Sequence, residues 1–149
     1  MPDLTETITV AAPAATLYDL VSDLPRMGEW SPECTGVTWN SGTPGPAVGA
    51  RFVGRNRVGS ARWMTQGRVL AADPGREFTF EIFFGPVQVA LWSYEFTPTA
   101  DGCEVAESWT DRRPLLVKLP SQAAFGRRSD INRRNMRITL DRLKAAAEN

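Results

Sequence analysis

Apolar and polar residues alternate along most of this chain. The alternation yields to helical spacing only after the first strand and again near the C-terminal end. Leu4 to Val10 reads as a strand, with Leu4, Ile8 and Val10 on one parity and Thr5, Thr7 and Thr9 on the other. Pro13 suits the first turn of a helix, where its missing N–H costs nothing. Leu17, Tyr18, Leu20 and Val21 then supply that helix with a buried stripe. Pro25 opens a second short helix that ends before Pro32. Val37 to Ser41 is predicted to be a strand, and the Pro- and Gly-rich stretch from Thr43 to Gly49 a mobile loop.

The next hairpin is the most sharply specified part of the pattern. Arg51 to Val58 and Ala61 to Ala72 flank Gly59-Ser60, which fits a two-residue turn and pairs Val58 with Ala61 and Asn56 with Trp63. Phe52, Asn56, Val58, Trp63, Thr65 and Val69 then share one face, and Arg51, Arg55, Arg57, Arg62 and Arg68 the other. A face of arginines meets water, so the first set points inward. Asp73-Pro74-Gly75 is a turn. Phe78, Phe80 and Ile82 fall on one side of the following strand, and Trp92, Tyr94 and Phe96 on one side of the next. A three-residue loop, Phe84-Gly85-Pro86, brings these two aromatic sets to a common face, whereas a bare two-residue turn would not. After the turn at Thr99-Ala100-Asp101-Gly102, the last strand carries Cys103, Val105, Glu107 and Trp109 on one parity. From about Leu119 onward the spacing is helical, with Phe125, Met136, Leu140, Leu143 and Ala147 on one stripe and Ile131, Asn135 and Ile138 beside it.

A curved antiparallel sheet with one long closing helix has a single apolar face to cover. Where the helix bridges the concave face, space remains for an apolar small molecule. Composition narrows this reading. At 149 residues the chain is expected to form one domain, residues 1–149. Its formal charge is zero, so nothing draws it to nucleic acid. No apolar run is long enough for a membrane span, and the N-terminus lacks a leader pattern, so the expectation is a cytoplasmic protein without integral membrane association. Cys34 and Cys103 show no metal or redox spacing. There is no histidine, which excludes histidine-dependent nucleophilic catalysis and histidine metal ligands. No metal and no cofactor are expected, and the reading admits a homodimer.

The inward rings are the leading chemical feature: Trp63, Phe80, Trp92, Tyr94 and Trp109, with Trp30 from the second helix. They serve either as a plain core or as stiff walls for a flat guest. Glu107 is the second feature. A carboxylate on an apolar strand face is costly unless paired, and burial turns it into an acid or base near neutrality. The competing reading is a structural pair with an arginine. Asn56 and Asn135 can orient a ligand's carbonyl or hydroxyl, or bond to backbone and buried water. The many basic residues of the last helix read as a solvated face.

The order of these elements resembles the START-like (helix-grip, SRPBCC) superfamily, and within it the bacterial polyketide cyclase/dehydrase-like branch. The resemblance rests on Ile8 to Pro13 leading into the first helix, on Asp23-Leu24-Pro25 through Glu29-Trp30-Ser31-Pro32, on Val48-Gly49-Ala50-Arg51-Phe52, and on Trp92-Ser93-Tyr94-Glu95-Phe96 followed by Gly102-Cys103-Glu104-Val105. It implies an α+β helix-grip fold: a curved seven-stranded antiparallel sheet wrapped around a long C-terminal helix, with two short helices after the first strand. It also implies a cavity for lipids, sterols, polyketides or other polycyclic molecules. It implies no single chemistry. Three functions follow as expectations. The first is binding of a hydrophobic small molecule, with Trp30, Asn56, Trp63, Phe80, Trp92, Tyr94, Glu107, Trp109 and Asn135 at the site. The second is a cyclase or dehydratase using Glu107 and Tyr94. The third is a regulatory or interaction module with no cavity ligand.

Overall fold

The computed structural model describes residues 1–116 and 128–149. Strand β1 (Leu4–Val10) leads into helix α1 (Ala14–Ser22), a single 3-10 turn (Leu24–Arg26) and the short helix α2 (Met27–Trp30). Six strands follow: β2 (Cys34–Trp39), β3 (Arg51–Val58), β4 (Ala61–Asp73), β5 (Glu77–Phe84), β6 (Val87–Thr99) and β7 (Gly102–Asp111). Helix α3 (Arg128–Glu148) ends the chain. All strands lie in one antiparallel sheet of order β1-β7-β6-β5-β4-β3-β2, so each hairpin neighbour is also a spatial neighbour and only β1 crosses over to pair with β7. This is the α+β helix-grip architecture. The predicted helix start at Leu119 and the stripe residue Phe125 lie outside the described residues. No helix among the described residues is long and apolar enough to cross a membrane.

The β3–β4 hairpin has the predicted register, Val58 with Ala61 and Asn56 with Trp63, around a turn whose Gly59 sits at φ +60°. That left-handed backbone is where glycine is favoured. The β5–β6 hairpin differs from its prediction. The turn is the two-residue Gly85-Pro86, with Phe84 opposite Val87, and the register then shifts by one residue at Val89. This bulge pairs Phe80 with Trp92 and Phe78 with Tyr94, so the aromatics share the inner face through an extra strand residue rather than a longer loop. A second bulge, at Leu70, does the same between β4 and β5. Strand β2 begins earlier than predicted, at Cys34, and its own shift sets Thr35 out of register.

Inner-face residues form rows across the sheet. Leu4, Trp109, Trp92, Phe80 and Val69 make one row. Glu6, Glu107, Tyr94 and Phe78 make the next, and Ile8, Val105 and Phe96 the third. Helix α3 packs mainly along β1 and also meets β7, α1 and α2. Its buried residues are Asn132, Met136, Thr139, Leu140 and Leu143. The apolar stripe was thus placed correctly at Met136, Leu140 and Leu143. Ile131, Asn135 and Ile138 are only half-buried, and the fully buried polar members Asn132 and Thr139 were not foreseen. The interior divides in two. Leu140 and Leu143 join a large cluster with α1, Phe78, Phe96 and Val105, whereas Met136 joins Leu4, Ala90 and Trp109.

Two further corrections concern exposure. Val58 has the inward parity but lies 49% exposed, because the hairpin tip runs past the covered part of the sheet. On the helix, several cations are anchored rather than solvated. Arg137 donates to the Thr7 carbonyl at 2.8 Å and Lys144 to the Thr9 carbonyl at 2.8 Å, so the basic flank ties α3 to the otherwise open edge of β1. Capping an edge in this way removes a template for pairing with another chain.

Gly67 marks a point of close packing on the inner face. It lies opposite Phe52, whose ring covers it, and a Cβ at Gly67 would stand 2.1 Å from that ring. The Phe52 ring makes edge contacts with Trp39 at 5.8 Å and Phe80 at 5.7 Å. Gly67→Ala is expected to dislodge the ring and lower stability by about 1–3 kcal/mol. In urea unfolding the midpoint should fall with the slope unchanged, and an unaltered midpoint would show that the ring is not seated there.

Candidate functional site

The central site is built from the second inner row. Tyr94 on β6 and Glu107 on β7 are directly paired across the strands, and both are almost fully buried. The Tyr94 hydroxyl donates to Glu107 Oε2 at 2.7 Å. Glu107 Oε1 is buried and has no hydrogen-bond partner among the described residues. Burial pushes the Glu107 carboxyl up to about 8; the Tyr94 hydrogen bond works against that shift and the charge of Glu6 adds to it. Tyr94 is raised well above its ordinary value, first by burial and then by the neighbouring carboxylate. At neutral pH the pair is therefore an uncharged acid beside an uncharged phenol. The phenol spends its proton on Oε2, which leaves Oε1 as the carboxyl's remaining hydrogen-bonding position.

Glu6 completes the row from β1, directly opposite Glu107. It faces α3, where Arg133 and Arg137 approach its two oxygens at 3.7 and 3.9 Å. The charge of Glu6 makes a second one on Glu107 costly. From the far side of the curved sheet, the Cys34 thiol on β2 comes near enough to Tyr94 to oppose its ionisation. Its own ionisation is suppressed by burial.

Apolar walls stand on both sides of this polar row. Trp92 and Trp109 form a tilted pair with ring centres 6.4 Å apart, next to buried Phe80. Toward α1 lie Phe78, Phe96 and Val105. The structure thus brings together Tyr94, Glu107, Trp92, Trp109 and Phe80. The other expected site residues stand elsewhere. Trp30 is buried beside α1, its carbonyl accepts from Arg142 at 3.3 Å, and its indole Nε1 is buried without a partner among the described residues. Asn56 donates to Thr65 Oγ1 at 3.3 Å near the end of the β3–β4 hairpin, where Trp63 is its cross-strand neighbour. Asn135 lies 3.5 Å from Glu33 Oε2, and Arg128 clamps both oxygens of that same carboxylate, tying the start of α3 to the α2–β2 connection.

Sequence reasoning missed Glu6, Cys34, Asn132 and the Glu33–Arg128 pair. Glu6 was detectable, because it interrupts the apolar parity of Leu4, Ile8 and Val10 just as Glu107 interrupts that of β7. Asn132 lies one helical turn before Met136 and was hidden by the neighbouring isoleucine at 131.

A long helix gripped by a curved antiparallel sheet, with a polar row set between two apolar clusters, defines the helix-grip class. The chain belongs to the family described as polyketide cyclase / dehydrase and lipid transport, whose model matches residues 1–148. Among solved structures it is 32% identical to the polyketide-cyclase-like protein Cgl2372 of Corynebacterium glutamicum, covering 98% of this chain and 88% of that one with a TM-score of 0.58. The di-domain ARO/CYC StfQ of the steffimycin biosynthetic pathway superimposes with a TM-score of 0.79 over 97% of this chain and 50% of its own, at 15% identity. That likeness is one of fold. Among curated proteins, the persistence and stress-resistance toxin PasT of Escherichia coli O6:H1 is 26% identical over 106 residues, which are 70% of this chain and 65% of that protein.

The buried carboxyl makes stability depend on pH in a definite direction. In the unfolded chain it loses its proton near the ordinary value of 4.5, and in the fold only at about 8. Between these values the native state holds a proton that the unfolded state has lost, so stability falls as pH rises and levels off above about 8. The slope is up to about 1.4 kcal/mol per pH unit. Glu107→Gln should flatten it and be at least as stable as the parent near the upper end. Urea midpoints at about pH 5, 6.5 and 8 test this. Parallel profiles for the two proteins would mean that Glu107 is ionised in the fold.

Proposed function

We propose that the chain binds a small hydrophobic molecule, of polyketide or polycyclic aromatic type, between the sheet and helix α3. Trp92, Trp109 and Phe80 contact its rings, and the Tyr94–Glu107 pair meets a carbonyl or hydroxyl on it. Family membership supports the ligand class. The observation that carries the reading is the orphaned Glu107 Oε1. A buried polar atom without a partner costs roughly 1–3 kcal/mol, and a guest's oxygen placed there would recover that cost. The apolar clusters on either side of the polar row suit a guest that is mostly hydrocarbon with one polar edge.

One feature favours a second, catalytic reading. A carboxyl that titrates at about 8 exchanges its proton readily near neutrality. In its ionised form Glu107 would take a proton from the carbon between two ketones, while Tyr94 donates to the oxygen that becomes enolate. The same carboxyl would then return that proton to a β-hydroxyl, which departs as water. This reading makes the chain a cyclase or dehydratase that needs no histidine.

Titration with a tricyclic hydroxyanthraquinone, followed by tryptophan fluorescence, tests the binding reading. Saturable quenching is expected. Trp92→Ala should reduce the quenching, and Glu107→Leu should weaken affinity roughly tenfold. Linear, non-saturating quenching, or unchanged affinity in Glu107→Leu, would refute it. The catalytic reading adds that Glu107→Gln keeps binding yet slows turnover of a poly-β-keto thioester by about 100-fold or more. Normal turnover by that variant would leave binding alone as the function.

A further inference from the structure

The outer face of the sheet has a feature that the interior site does not use. An open groove of about 570 Å³ lies at the β2–β4 end, bordered by Thr35, Arg55, Arg57, Arg62 and Met64, with Trp63 and Asn56 between them along the strands. Arg57 and Arg62 are direct cross-strand partners, and Arg55 is opposite Met64. Like charges set directly opposite one another destabilise a sheet. The other arginine pairing on this face, Arg51 with Arg68, is relieved by the ion pair of Arg68 with Glu81. Among the described residues no carboxylate pairs with Arg55, Arg57 or Arg62. Two of them are positioned by hydrogen bonds: an Arg55 Nη donates to Thr38 Oγ1 at 3.1 Å, and Arg57 Nε donates to the Gly59 carbonyl at 2.8 Å. Glu33, whose carbonyl accepts from the Arg57 amide, has its carboxylate committed to Arg128.

Three guanidiniums with no carboxylate partner among the described residues, two of them held by hydrogen bonds, border a groove of small-molecule size, a setting that suits an anion. Met64, 60% exposed, adds apolar surface to the same groove. The size and setting argue against a long polyanion. Farther along this face Glu77, Glu95 and Glu104 project outward from β5, β6 and β7, and would repel a strand that continued across the sheet. We propose that this groove binds a small molecule joining a phosphate group to an apolar moiety, with Arg55, Arg57 and Arg62 holding the phosphate and Met64 the apolar part.

Phenyl phosphate is the probe, titrated into the ¹⁵N-labelled protein beside inorganic phosphate and phenol. Saturable shifts are expected at the amides of residues 55–64, with phenyl phosphate the tightest of the three. The double variant Arg57→Gln, Arg62→Gln should bind it roughly tenfold more weakly or not at all. Arg133→Gln, on α3, should bind as the parent does. Glu107→Gln should also bind normally, so failure here is separable from failure of the interior reading. Unsaturable shifts scattered over the surface, shifts centred on residues 94 and 107, or full affinity in the double variant would overturn the proposal. Without ligand, the double variant should melt no lower than the parent, since a repulsive pair has been removed. A drop of more than about 4 °C would make the guanidiniums structural and equally overturn it.

Discussion

A carboxyl group held inside an apolar row is the constraint around which this molecule is arranged. Glu107 has Val105 on one side along its strand and Trp109 on the other, both buried. Leaving its charge there would cost several kcal/mol. The fold meets the problem with protonation, a hydrogen bond from Tyr94 and a charged Glu6 next door that discourages ionisation. Each device comes from a different strand. The arrangement therefore depends on the register of β1 on β7 and of β7 on β6. A slip of one residue of β7 on β6 would put Glu107 on the other face and bring a residue such as Ser108 inward, and a slip of β1 on β7 would turn Glu6 away.

Helix α3 is matched to that row. Met136 lies over the Leu4–Trp109 cluster, and Leu140 and Leu143 over the cluster beneath α1. Between the sheet and the helix, Glu6 meets Arg133 and Arg137. The helix is pinned at its start by Arg128 on Glu33. Near its end Glu148 accepts from the Ala11 amide at 2.8 Å and from Lys144. These contacts hold the helix at both ends and along one edge. One turn before Met136 the helix also buries the polar Asn132.

Period-two alternation made the sheet legible because one face is buried: Phe78, Phe80, Trp92, Tyr94 and Val105 had to share it, and they do. The β3–β4 register followed from the turn residues Gly59-Ser60 and the arginine face. The β5–β6 connection was read correctly as to face but not as to mechanism. A bulge and a one-residue-longer loop solve the same alignment problem, and local composition does not separate them. The polar members of the site were harder to read. Glu6 announces itself only by parity, and the approach of Cys34 to Tyr94 depends on curvature summed over the strands between them. Asn135, with its place beside an apolar stripe, pointed inward in the sequence. In the fold it turns toward Glu33, a partner 102 positions away that no local pattern could supply.

The two faces of the sheet obey opposite rules. On the inner face, charge is suppressed away from the helix arginines: Glu107 is neutral, the phenol is protonated and the buried thiol of Cys103 resists ionisation, while Glu6 faces Arg133 and Arg137. On the outer face, charge is kept and paired where pairing is available. Arg68 finds Glu81, while Thr79 bonds Ser93 at 2.9 Å and Glu77 at 2.7 Å, making a polar lattice on β4–β6. The Arg57–Arg62 pair departs from the outer rule in having no carboxylate partner among the described residues, and Glu107 Oε1 is a buried inner-face oxygen with no partner there. A buried polar atom without a partner, or like charges set directly opposite one another, marks a place where folding alone does not account for the residue. By that criterion, the tip of the β3–β4 hairpin and the middle of β7 stand out on this sheet, and they face opposite sides of it.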